Sequence, residues 1–377
     1  MINKTISVCE QSNIETWAVA GPSILKYINS NEYEVVVPDN QIEIFRAVTP
    51  NKISVVPESV YIGERNLTWV QSLIPPTYER RAGWYLQQFI KIEACRASKS
   101  DEMVLIWDAD TVPLKSLEFE DSDGRLLYYR GNHKPIIHEP YFDLILKLLG
   151  LNRLREVSFI SQSFPTRVAW VKAMCSEIEV KYQVESWIDA VLANVDHTAG
   201  LSGFSEYETL GTYISHHYAD EYKFSDCNYF RNGTQLIGSP DLLMSNKQWS
   251  NLKSCIDYIA FENYQTEKIR GISIGSGNAQ AVVTPQGNAV INVDLQKYDE
   301  VDLIVNIEKA WPFPNSFFEQ VIANNILEHV NDILPVISEI DRCLAVGGLL
   351  KIEVPFIGSY NHGTDVTHKR GLTYDSF

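Results

Sequence analysis

Short apolar runs at 5–9, 34–37, 53–56 and 103–107 are bounded by polar residues, Gly or Pro, and read as strands. Between them, apolar residues recur every three or four positions. This spacing predicts helices over 14–28, interrupted near Gly21-Pro22, over 41–47, and over 80–95, where Tyr85, Phe89 and Ile92 fall on one face. Strands alternating with helices imply βαβ units and a mainly parallel sheet, so the fold class is α/β. Further helices are expected over 168–180 and 187–194. The pattern loosens after residue 240 and resumes with a helix over 248–261, then strands at 268–274, 288–295 and 349–354. A chain of 377 residues exceeds what one core ordinarily serves, so two domains are expected, 1–245 and 256–377.

Composition excludes several classes of function. A net charge of −16 argues against a nucleic-acid surface, which needs clustered Lys and Arg. No apolar stretch reaches the roughly 20 residues needed to span a bilayer, so no transmembrane segment is expected. The first residues lack the basic and apolar segments of a secretory signal. Six scattered cysteines form no C-x-x-C pair and read as reduced thiols of a cytoplasmic protein.

The chemistry concentrates after the 103–107 strand, in Asp108-Ala-Asp110-Thr111-Val-Pro113. Side chains two apart on an extended backbone point the same way. Asp108 and Asp110 could therefore share one Mg²⁺ or Mn²⁺ at the carboxyl end of a strand, where open α/β sheets bind ligands. Otherwise they solvate a strand end. Gln88 and Lys91 share a face of the preceding helix and could border the same cleft, with Arg80 and Arg81 as further phosphate contacts. Each of these cations is also readable as a solvated helix charge. Glu206 and Glu208 are carboxylates able to serve as a general base, with Asp189 in reserve. Ser205-x-x-Glu208 also reads as a capping box. His216 and His217 lie farther along the same segment, as possible additions to a metal shell or as ordinary histidines.

Three segments in this order, Trp84-Tyr-x-Gln87-Gln88-x-x-Lys91, Ile106-Trp-Asp108-Ala-Asp110-Thr111-Val-Pro113 and Phe204-Ser-Glu206-Tyr-Glu208-Thr-Leu-Gly211, resemble bacterial glycosyltransferases of the GT-A type. The resemblance runs from the N-terminus to about residue 240. It implies a nucleotide-sugar donor, a divalent metal on its diphosphate, and a glycan or lipid-linked saccharide as acceptor. It places Gln88, Lys91 and Arg81 at the donor and Asp108 and Asp110 on the metal. Surface polysaccharide synthesis, in the cytoplasm or at the inner face of the membrane, would be the setting.

The later segment carries Gly275-Ser-Gly277 after one strand and Asp294 at the end of the next, followed by Trp311-Pro-Phe-Pro314, Leu327-Glu-His-Val330 and Gly347-Gly348. In that order they resemble the class I S-adenosylmethionine-dependent methyltransferases, with a Rossmann-like domain over 256–377. The resemblance implies that Gly275 and Gly277 lie against the cofactor's amino-acid part. Asp294 would hold the ribose, Asn306 or Ile307 border the adenine, and Asn324 flank the methionine end. Ser273, Asn306 and Ala279 depart from the family pattern. The domain is expected to be incomplete at its C-terminus, where His362, Asp365, His368 and Lys369 read as a polar, mobile tail or as a source of a base. Two other readings stay open: a glycosyltransferase with an inactive second domain, and a non-catalytic carbohydrate-binding or scaffold protein.

Overall fold

The computed structural model describes residues 1–131, 135–198, 203–262, 267–279, 281 and 283–376, with the side chains of 135–137 also outside the description. The chain forms two compact units, Met1–Cys227 and Asn228–Phe377.

The first unit is built on strands β1 (Ile2–Val8), β2 (Ser30–Val37), β3 (Ser54–Pro57), β4 (Met103–Trp107) and β5 (Ser163–Arg167). Its helices include α1 (Ile14–Tyr27), α2 (Ala82–Arg96), α3 (Val168–Tyr182), α4 (Trp187–Asn194) and α5 (Glu206–His217). The sheet order is β3-β2-β1-β4-β5, parallel except for β5, which runs antiparallel to β4. All five residues of β4 are buried, as expected of a strand covered on both faces. The interruption expected at Gly21-Pro22 does not occur, and α1 runs through Pro22. Gly21 packs beside the rings of Trp17 and Pro50, where an added Cβ would make ordinary contact.

In the second unit the strands are β6 (Ile269–Ile274), β7 (Ala289–Asp294), β8 (Leu303–Ile304), β9 (Phe318–Asn324) and β10 (Leu344–Glu353). They pair in parallel in the order β8-β7-β6-β9-β10. Among the described residues the one helix between strands of this sheet is α6 (Ile333–Cys343), which buries Val336, Ile340 and Cys343 at helical spacing. Trp311, Phe313 and Phe318 fill the core beneath it, and Arg342 ties the Trp311 and Phe313 carbonyls to Glu339.

The helix expected over 248–261 is cut short. It covers only Ser250–Cys255, and Tyr258–Ala260 is a strand paired with Tyr229–Phe230. Asn228 fixes this arrangement. Its amide reaches the Cys255 and Ile304 carbonyls, and its backbone exchanges bonds with Asp257. For the same reason the division between the units falls at Cys227/Asn228, ahead of the stretch where the pattern loosens. No helix among the described residues is long and apolar enough to cross a membrane.

Candidate active site

In the first unit the strand order reverses between β1 and β4, and ligands of open α/β sheets bind at the carboxyl ends of such a pair. Asp108 sits at that end of β4. The backbone there is not extended: β4 stops at Trp107, and a turn closed by Thr111 N–H on the Asp108 carbonyl (3.0 Å) carries Asp108 and Asp110. The Trp107 indole braces the turn from beneath, donating to the Thr111 carbonyl at 2.8 Å. The strand alternation expected to place both aspartates on one face does not apply, because a turn carries them.

Lys91 is the centre of the site. It lies on α2, 6% exposed, and its Nζ donates to Asp108 Oδ1 at 2.6 Å and to Glu206 Oε1 at 2.7 Å. Tyr207 OH donates to the same Asp108 oxygen at 2.7 Å, and its ring lies 4.8 Å from the ammonium. Gln88, one turn before Lys91, receives the Glu206 backbone N–H at 2.9 Å and so docks the start of α5 on α2. Burial would lower the Lys91 pKa, but Asp108 and Glu206 outweigh it and hold the ammonium above its ordinary value. Burial raises the Glu206 carboxyl against the opposing pull of Lys91. Burial also raises the Tyr207 phenol, with Asp108, Glu206 and Asp110 adding to the effect. Formally the two aspartates, Glu206 and Lys91 sum to −2. A hard divalent cation, which takes one or two carboxylates plus substrate phosphates, fits that donor set.

Other expected site residues are elsewhere. Glu208 lies two residues from Glu206 on α5 and so points away from it. Ser205 caps the helix by accepting the Glu208 N–H, but the Glu208 carboxyl does not complete the box; it bonds the Ser158 hydroxyl. Its burial pushes the pKa up to about 7. Asp189 faces Arg65 at 3.4 Å, and Arg81 donates to the His197 carbonyl and lies over Tyr78. His216 bonds the Asn152 carbonyl, ten residues along α5 from Glu206, or roughly 15 Å at 1.5 Å per residue. Sequence reasoning gave Tyr207 no role. Its only signal was its place between two candidate glutamates.

In the second unit the order reverses between β6 and β9. Gly275 and Gly277 follow β6 with φ of +58° and +52°, where a Cβ is disfavoured. Asp294, at the end of β7, accepts the Gly277 and Gln296 N–H groups at 3.0 and 3.1 Å. Asn324 ends β9, while Asn306 is exposed and accepts the Glu308 N–H. A Cβ on Gly275 would fall 2.2 Å from Ile326, whereas one on Gly277 meets open space. Gly275→Ala should thus destabilise the unit by about 1–3 kcal/mol more than Gly277→Ala, a difference readable in urea melts; equal losses would show that Ile326 moves aside. The bare, open flank of Gly277 beside a carboxylate fits the amino-acid and ribose ends of an S-adenosyl cofactor.

A family model described as a family of unknown function (DUF6492) matches residues 4–288. The chain belongs to that family. Within this DUF6492 chain, a methyltransferase domain model matches residues 271–352. No curated protein matches in sequence. Similar solved structures include mouse xyloside xylosyltransferase 1, at 9% identity over 71% of this chain and 99% of that one, with a TM-score of 0.37. Others are the galactosyltransferase LgtC with donor and acceptor sugar analogues (8%; 68% and 86%; 0.37) and the WbbM bifunctional glycosyltransferase (11%; 71% and 46%; 0.35).

Proposed function

We propose that the first unit transfers a sugar from a nucleotide-sugar donor to a hydroxyl of a glycan or lipid-linked acceptor. The observation that carries this is the Asp108–Lys91–Glu206 cluster at the carboxyl end of β4, with Asp110 beside it. Asp108 and Asp110 would hold Mn²⁺ or Mg²⁺ against the donor diphosphate, and the metal supplies stabilisation of the charge that grows on the leaving nucleotide. Lys91 fixes the Asp108 carboxylate and keeps a positive charge next to the phosphate position. Gln88 positions α5. Glu206 is committed to Lys91, so its role here is positioning, and neither Glu208 nor Asp189 serves as base at this site. Arg81 is left out of the donor contacts.

The second unit, taken over the 256–377 span, is read as a methyltransferase domain whose cofactor S-adenosylmethionine would lie along Gly275, Gly277 and Asp294. One observation favours a second reading, in which this unit is inactive and serves as a structural or binding module. Among the described residues no helix follows the glycine turn before β7, where a helix N-terminus would favour the cofactor carboxylate. Titration of the full chain with S-adenosylhomocysteine separates the two readings, since absence of binding leaves only the second. Six scattered cysteines without a C-x-x-C pair support a reducing, cytoplasmic setting.

A melting panel of nucleoside diphosphates and nucleotide sugars, with and without Mn²⁺, tests the first unit. One nucleotide should stabilise the protein only with metal, by about 2.7 kcal/mol at a hundred times its Kd. Asp110→Asn should abolish that gain. No nucleotide-dependent gain, or one that survives Asp110→Asn, would sink the donor-site assignment.

A further inference from the structure

The polar tail of the second unit is not a loose end. The Lys369 N–H bonds the Glu328 carbonyl at 2.8 Å, and Arg370 Nη2 reaches the Val330 and Asn331 carbonyls. These bonds press His368 against the loop that leaves β9. There Glu328 is 1% exposed, and both its carboxylate oxygens are buried without a hydrogen-bond partner. A buried carboxylate in that condition is costly unless a cation sits beside it. Lys369 is turned away, with its Nζ on Asn331.

Two imidazoles face the same point with their lone pairs fixed. His368 Nδ1 bonds the His362 carbonyl at 3.0 Å. A carbonyl only accepts, so Nδ1 carries a proton, and the neutral ring that a metal ligand requires then presents its lone pair at Nε2. His329 Nδ1 lies 3.0 Å from Thr367 Oγ1, whose own proton goes to Asp365 Oδ1 at 2.6 Å. The hydroxyl must therefore accept from His329, which again leaves Nε2 as the lone-pair nitrogen. Each histidine thus has the outer-shell partner that metal-ligating imidazoles have. His368 Nε2 stands 3.9 Å from Glu328 Oε1, too far for a hydrogen bond but a span two ligands of one cation can adopt. One ligand atom from each of Glu328, His329 and His368 lies within 4.8 Å of the others.

We propose that Glu328, His329 and His368 bind a divalent first-row transition cation, zinc by the chemistry of the set. Two neutral imidazoles and a carboxylate make a mixed nitrogen–oxygen site that favours such ions over Mg²⁺ or Ca²⁺, and three protein ligands leave a coordination position open. The cation neutralises the buried Glu328 charge and clips the tail to the β9 loop. The site is independent of the Asp108/Asp110 assignment.

The test uses the full chain, tag removed and stripped of metal, dialysed against Zn²⁺ in excess Mg²⁺ and titrated with Co²⁺ followed by visible absorption. Wild type should bind one equivalent, with the cobalt bands of nitrogen ligation, and Asp108→Asn/Asp110→Asn should retain it. His329→Ala and His368→Ala should each lose it. Thr367→Ala, which removes only an outer-shell partner, should weaken it roughly 10- to 100-fold. If Glu328→Gln fails to fold, the two histidine variants, checked by circular dichroism, decide. A wild type that takes up no zinc, or zinc held equally by both histidine variants, would overturn the proposal.

Discussion

Lys91→Met lowers the stability of the first unit by about 3–5 kcal/mol, the usual loss when one partner of a buried ion pair is removed. The expected size follows from what the change leaves behind. Asp108 and Glu206 would share a pocket with no cation, and Glu206 is 5% exposed with its carboxyl already raised by burial. The mutant's response is to protonate Glu206, so its deficit should shrink as the pH falls from about 7 towards 5. Lys91→Met/Glu206→Gln should recover much of the loss, because a neutral amide needs no cation. Urea denaturation of the three proteins at both pH values reads this directly. A single mutant within about 1 kcal/mol of wild type would mean that Lys91 does not neutralise these carboxylates.

The second large effect is a pH dependence centred on Glu208. Its carboxyl rises from an ordinary 4.5 to about 7 through burial, opposed by bonds from Ser158 and the Phe159 backbone. The folded chain then holds this proton more tightly than the unfolded chain. The associated stability is fully present below about 4.5 and is lost as the pH rises through about 7. A shift of that size corresponds to roughly 3 kcal/mol at 1.36 kcal/mol per unit. Wild type should therefore lose about that much more than Glu208→Gln between pH 4.5 and 8, with the curves parallel above pH 8. Curves that stay parallel throughout would show that Glu208 is ionised in the folded state across the range.

Much of the first unit was readable because its signals are local. Apolar runs mark β1 to β4 directly, Gln88 and Lys91 lie on one helix, and Asp108 and Asp110 lie just past the strand that follows it. What the sequence hid was set by distance or by a small change of backbone. Strand order depends on pairings that no local pattern records. The turn at Asp108 is one hydrogen bond away from continued strand, and periodicity does not report it. Glu206 and Glu208 looked interchangeable until the helix turned them apart. Asp189 and Arg81 carry the right charges, but their partners, Arg65 and His197, are remote in sequence. In the second unit the glycine turn and Asp294 were legible by spacing. The tail was not, because its order comes from Glu328 and Val330, some forty residues earlier.

The cluster around Lys91 also sets an order of events during synthesis. Lys91 and Asp108 are separated by 17 positions and can meet soon after β4 leaves the ribosome. Glu206 is 115 positions from Lys91, so at 5–20 residues per second it arrives roughly 6 to 23 seconds later. Throughout that interval a half-paired ammonium must stay hydrated, which keeps the cleft wet and the start of α5 undocked. The last charge to close the Lys91 cluster is therefore also the one that docks α5.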